Sequence, residues 1–202
     1  MPLVTLDQLV AQAQANEVVS FPTDTVPAVA VKPDYAQKIY ELKRRSPDKP
    51  LILMAASLEE IWDYVVGSET EKTQWQAIAQ KYLPGALTLV LPASELVSSA
   101  INPTKSGTIG VRVPDLDIAR EILSQTGAMA TTSANLSGQP PIEWTEEIAL
   151  TFPSLPVLDC WDVEQFGKIG SGQPSTVIQW QRDSTWTVLR QGSIALETTE
   201  FA

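Results

Sequence analysis

The stretch ELKRRSPDKPLIL, residues 41–53, carries Lys43, Arg44, Arg45 and Lys49 on a segment stiffened by Pro47 and Pro50. Arginine offers a planar fork to phosphate oxygens, and lysine a mobile point charge. A hydrogen bond to a charged group contributes about 1.5–3 kcal/mol, against about 0–1 kcal/mol for an exposed salt bridge. Convergent cations of this kind suit a polyphosphate. A solvated helix end, where cations meet the helix dipole, accounts for the same stretch taken alone.

Four further stretches could do chemistry. TTSANLSG (131–138) is dense in hydroxyls and amides and ends in glycine. Such a turn can present donors to an anion, or be an ordinary Ser/Asn turn. FPTDTV (21–26) sets Thr23, Asp24 and Thr25 in a polar turn between apolar runs. In GTIGVRVPD (107–115) Arg112 sits inside an apolar strand. A charge there needs a protein carboxylate or an anionic ligand. GQPSTVIQW and WTVLRQG place Ser175 at a strand start and Arg190 at a strand end, which a surface hairpin also explains. Neither GxxxxGKS/T nor GxGxxG is present, so the two standard phosphate loops are not used.

The residue inventory narrows the chemistry. The chain has no histidine and one cysteine, Cys160. That removes Ser-His-Asp and Cys-His nucleophile systems, HExxH proteases and zinc sites built on imidazole or several thiolates. No metal-ligating cluster is read. A single cysteine excludes an internal disulfide and suits a reducing compartment. The N-terminus lacks a basic segment followed by an apolar core, and no apolar run reaches the roughly 18–20 residues of a membrane span. We read a cytoplasmic protein with no membrane contact. Net charge is −10, which disfavours extended nucleic-acid binding. The basicity is local: six of the 14 basic residues lie between Lys32 and Lys49.

Patterning supplies the elements that must position these groups. Thr5 with Gln8 reads as a capping box opening a helix to about Ala15. EVVSF and the run after PTDTV read as strands, and Pro33-Asp34 opens a helix carrying Ile39 and Leu42. LILMAA follows the basic loop as a strand. Ser57/Glu60 and Ser68/Glu71 start two helices, the second broken at Pro84-Gly85. ALTLVLP and TIGVRVP are strands. Asp115 caps a helix that Gly127 stops. AMATTSAN runs from strand into loop, a short helix spans 145–151, and PVLDC, STVIQW and TWTVLR are strands. The stretch 161–175 reads as the one long loop. The alternation predicts a single α/β domain with a mixed sheet over residues 1–195, and a frayed tail over 196–202.

Taken together, PTDTV, KRRSPDKPL, TIGVRVP, TTSANLSGQPP, PSTV and VLRQG resemble, in order and interval, the YrdC-like family, the threonylcarbamoyl-AMP synthases. The resemblance covers residues 5–195, and Lys43/Arg45 with Ser133/Asn135 is its most specific part. It implies an open twisted sheet with a concave, electropositive face. It implies an enzyme that makes threonylcarbamoyl-AMP from L-threonine, bicarbonate and ATP with release of pyrophosphate, serving tRNA modification with partner proteins. By matching position, Lys43 and Arg45 would be catalytic. Arg45, Lys49, Thr108, Ser133, Asn135 and Arg190 would hold ATP. Thr25, Arg112, Thr131 and Ser175 would hold threonine, with Arg112 on its carboxylate. Mg²⁺ would be held mainly by ATP. Two other readings belong beside this one: a non-catalytic factor binding double-stranded RNA or the ribosome, and a paralogue using ATP for another carbamoyl or acyl transfer. The family usually continues PTDTV with an aromatic residue and glycine, where this chain has Pro27 and Ala28. Proline removes a donor, and alanine resists the positive φ that glycine permits.

Overall fold

The computed structural model describes residues 3–160 and 170–196. The loop read at 161–175 lies outside the described residues up to 169, and the tail lies outside them from 197. In chain order the elements are β1 (Leu3–Val4), α1 (Leu6–Gln14), β2 (Val19–Phe21), β3 (Ala28–Val31), a 3-10 turn (Pro33–Tyr35), α2 (Gln37–Lys43) and β4 (Ile52–Met54). Then come α3 (Leu58–Trp62), α4 (Glu69–Tyr82), β5 (Leu87–Pro92), β6 (Thr108–Arg112), α5 (Asp117–Thr126) and β7 (Met129–Ser133). The remainder is α6 (Thr145–Thr151), β8 (Val157–Leu158), β9 (Thr176–Trp180) and β10 (Trp186–Arg190).

The strands form one mixed sheet in the order β1-β8-β2-β3-β7-β4-β6-β5-β9-β10. The pairs β1/β8, β8/β2, β4/β6 and β5/β9 are parallel, and the others are antiparallel. The mixed α/β domain read from the alternation is the one that forms.

Local chemistry explains the helix ends. Thr5/Gln8 and Ser68/Glu71 both close as reciprocal capping boxes, satisfying backbone donors that the first turn leaves open. Gly127 stops α5 at φ 76°. One expectation needs correction, and one strand was not expected. Asp115 does not cap α5: the N-cap is Leu116, without a side-chain bond, and the Asp115 carboxylate accepts from Arg120 Nη1 at 3.0 Å instead. Strand β1 went unanticipated, because two residues carry no periodic signal.

Alternation along the strands sorts the sheet into two faces. Leu53, Leu87, Leu89, Leu91, Ile109, Val111 and Ile178 point to one side, where Ile39 of α2, Ile61 of α3, Trp75 of α4 and Ile148 of α6 bury them. On the other face, among the described residues, helices cover one end. There Leu9 and Ala13 of α1 and Ala119, Ile122 and Leu123 of α5 pack on Phe21, Ala30, Met54 and Met129. Among the described residues no helix packs on the rest of that second face, and the cavity described next lies on it.

Candidate functional site

A cavity of about 470 Å³ opens over this uncovered face. Its floor is built from strand residues that alternate with core residues, in cross-strand rows fixed by the register. One row runs Val177, Thr88, Arg112 and Met54, and the next runs Gln179, Val90, Gly110, Ile52 and Thr131. Gly110 stands mid-row. A Cβ there would meet Thr88, Ile52 and Val90 only at 3.4–3.9 Å, so the missing side chain deepens the floor. The rim carries Val26, Pro27 and Ala28, the hydroxyls of Ser106, Thr108 and Ser133, and Pro174 with Leu189.

Three arginines line the cavity, and no carboxylate does among the described residues. Each uses its Nε–H on a main-chain carbonyl. Arg45 donates to Lys49 O at 2.9 Å, Arg112 to Gly85 O at 3.0 Å and Arg190 to Ser175 O at 3.1 Å. Neutral anchors fix each guanidinium plane without cancelling its charge, and terminal N–H groups remain for a ligand. Arg45 and Arg190 pair with no carboxylate among the described residues. Arg112 is 4% exposed and does have one: Nη2 reaches Asp24 Oδ1 at 2.6 Å, and Nη1 reaches Thr25 Oγ1 at 2.8 Å. Of the two possibilities open for this residue, the protein carboxylate is present.

Local backbone geometry delivers these side chains. Arg44 caps α2 in the left-handed region, φ 50° and ψ 42°, turning the chain so that Arg45 enters the rim while Arg44 stays exposed. At the far wall a bulge between Val188 and Arg190 sets Arg190 opposite Val177. Strict alternation would have grouped Arg190 with Trp186 and Val188, on the core face. The extra residue moves it to the cavity side.

The two motifs that are most specific in sequence meet behind the rim. Lys43, 1% exposed, donates to Ser133 O, to Asn135 Oδ1 at 3.3 Å and to Thr132 Oγ1 at 3.4 Å. Asn135 Nδ2 donates to Leu136 O and Gln139 O at 2.8 and 2.7 Å, which orients the amide. Its Oδ1 therefore accepts from Ser133 Oγ at 2.5 Å. Lys43 and Asn135 are thus satisfied inside the protein, and Ser133 is the member that faces the cavity. Burial, and then the nearby Arg45 cation, push the Lys43 ammonium down to about 7.

Of the remaining residues picked from sequence, Thr25, Thr108, Thr131 and Ser175 line the cavity. Thr131 Oγ1 donates to Ile52 O at 3.1 Å, and Ser175 Oγ shares a hydrogen with Thr88 Oγ1 at 2.8 Å. The Lys49 side chain is exposed and outside the lining; its carbonyl is what contributes, as the anchor of Arg45. Lys32 and Lys38, grouped with it by sequence density, bond instead to Thr126 O and to Asn16 O and Glu17. Thr88, Ser106, Gly110, Gln179 and Leu189 were missed. Strand alternation counted from Arg112 and from Ser175 could have found Gly110 and Gln179; Thr88 and Leu189 lie on other strands and carry no such signal. Ala28 lies in regular β3, paired with Ser133, so it needs no positive φ. The Pro27 carbonyl accepts from Ala134 N at 2.8 Å.

The family model for Sua5, YciO and YrdC proteins, described as "Telomere recombination", matches residues 11–192. The threonylcarbamoyl-AMP synthase of Bacillus subtilis is 35% identical over 209 residues, covering 98% of this chain and 57% of its own. That of Vibrio campbellii is 36% identical over 146 residues, covering 70% of this chain and 78% of its own. A double-alanine variant of P. abyssi Sua5 superposes with TM-score 0.85 at 29% identity, over 96% of this chain and 58% of that one. The same protein complexed with L-threonine gives TM-score 0.80 at 29% identity, over 93% of this chain and 54% of that one. This chain therefore spans somewhat more than half the length of the Bacillus and Sua5 proteins. With the family model matching most of its length, the chain belongs to the Sua5/YciO/YrdC family.

Proposed function

We propose that this protein is an ATP-dependent threonylcarbamoyl-AMP synthase. The observation that carries the reading is the convergence of Arg45, Arg112 and Arg190, with hydroxyls between them, in a cavity whose described lining has no acid. The names of the relatives support it, as does the binding of L-threonine by P. abyssi Sua5. The product would feed the modification of tRNA.

In this reading the threonine amine takes up bicarbonate with loss of water, giving a carbamate. A carbamate oxygen then bonds to the α-phosphorus of ATP as the bond to the bridging oxygen breaks and pyrophosphate leaves. Neither step requires an imidazole, and the chain has none. The need is to hold reactants together and to stabilise charge on a transferring phosphoryl group. Arg45 and Arg190 would take the phosphates, with Thr108. Lys43 and Asn135 would act through Ser133, holding its carbonyl and hydroxyl in place. Arg112, Thr25, Thr131 and Ser175 would receive the amino acid. The Ser133 proton goes to Asn135, so its oxygen offers lone pairs. That fits an oxygen-seeking cation such as the Mg²⁺ that ATP carries, which would draw charge from the phosphate oxygens.

The test is pyrophosphate release by purified protein. Release that requires ATP, L-threonine and bicarbonate together is the expected outcome. Release indifferent to threonine and bicarbonate would overturn the reading.

A further inference from the structure

Arg112 is held from three sides. Gly85 O takes Nε–H, Thr25 Oγ1 takes one hydrogen of Nη1, and Asp24 Oδ1 takes one hydrogen of Nη2. One N–H on each terminal nitrogen remains without a partner among the described residues, and Arg112 is part of the cavity wall. Two such N–H groups are what a carboxylate needs for paired recognition. Asp24 itself is not in the wall; it stands beside the guanidinium.

The turn that carries Asp24 is fixed from both directions. On its inner side Thr23 Oγ1 donates to Val26 O at 2.8 Å. A carbonyl only accepts, so the Thr23 proton is committed, and Thr25 must be the donor of the 3.0 Å contact between the two hydroxyls. Thr25 therefore meets Arg112 purely as an acceptor. On the outer side Ser171 N donates to Asp24 O and Gly172 N to Thr25 O, both at 2.9 Å. Gly170, at φ 73°, packs so closely that a Cβ would fall 2.6 Å from Thr23 O and Thr25 O. These contacts satisfy the two main-chain carbonyls and at the same time fix where the Asp24 carboxylate stands beside Arg112.

We propose that Asp24 is a positioning residue for the amino-acid subsite: held in a clamped turn, it orients the Arg112 fork so that its two remaining N–H groups receive the substrate carboxylate. This rests on the function proposed above. It assigns a role to a residue that never touches the substrate.

Calorimetric titration of wild type and of Asp24→Asn with L-threonine and, separately, with ATP tests it. Asparagine keeps the shape and an acceptor but removes the charge that fixes the guanidinium. The expected result is an L-threonine Kd raised about tenfold or more, with the ATP Kd within about twofold of wild type. Equal losses for both ligands, or an L-threonine Kd within about twofold of wild type, would overturn the assignment. A double-mutant cycle supplies a readout that a merely stabilising role would not move. In an Arg112→Gln background, removing Asp24 is expected to change L-threonine affinity no further, and a further loss overturns the proposal. If Asp24→Asn alone fails to fold, Asp24→Glu decides the matter, since it keeps the charge and displaces it by one methylene: an L-threonine Kd within about twofold of wild type overturns the assignment. Wild-type protein that binds ATP but not L-threonine would overturn the proposed function itself, whatever Asp24 does.

Discussion

Arg45 shows what a residue can and cannot reveal about its job in sequence. Its neighbours Arg44, Lys49, Lys38 and Lys32 share its charge and its stretch of chain, yet among these five it alone lines the cavity. Charge density along a chain is not convergence in space. The left-handed cap at Arg44 and the carbonyls of Lys49 and Pro50 make the selection, and each is a property of the folded backbone. Lys43, Ser133 and Asn135 were singled out by the family resemblance rather than by the residues alone, and they do meet, though behind the rim rather than in it. Pairing of Arg112 with Asp24 could not be read, because the choice between two partners was made 88 residues away. If Arg45 stabilises charge on the transferring phosphoryl group, Arg45→Ala should lower turnover in pyrophosphate release by about 10²–10³. Unchanged turnover would return ELKRRSPDKP to a solvated helix end.

At the scale of elements, period-two alternation did most of the positioning. Counting from Arg112 places Thr108 and Gly110 on the same face; counting from Ser175 places Val177 and Gln179 there. The fold class was legible for the same reason, since strands and helices differ in hydrophobic period. What alternation misplaces is Arg190, which a single-residue bulge carries to the cavity side. A bulge leaves no reliable mark in one sequence. Gly110 gives the test that separates site from scaffold. Its Cβ position is free of close contact, and valine suits a strand better than glycine does. Gly110→Val should therefore leave the thermal midpoint unchanged or raised, while its methyl groups fill the floor and weaken nucleotide binding by about tenfold or more. Calorimetric ATP titration alongside a thermal melt checks both halves. A melt that collapses together with binding would mean that Gly110 serves packing instead.

The whole molecule sets a basic cavity within a chain of net charge −10. One interior cation outside the cavity lining is Lys43. It lies at the joint between α2 and β7, with an ammonium brought down to about 7 from an ordinary 10.5. The consequence for stability has a definite sign. Between those two values the unfolded chain binds a proton that the folded protein does not, so acidification through this window favours unfolding. Stability attributable to Lys43 should thus rise from about pH 7 toward about pH 10, and be flat below pH 7. Lys43→Met keeps the apolar stem and removes the titration. Its urea unfolding free energy should therefore gain less than that of wild type on going from about pH 7 to about pH 9.5. Every other group is common to both proteins, so its contribution cancels in the comparison. Parallel pH profiles would show that the three acceptors around the ammonium, Thr132 Oγ1, Ser133 O and Asn135 Oδ1, hold it charged throughout. In that case Lys43 would be a fixed cation behind Ser133 over the full range of the activity assay, and a loss of turnover at alkaline pH would have to come from another group.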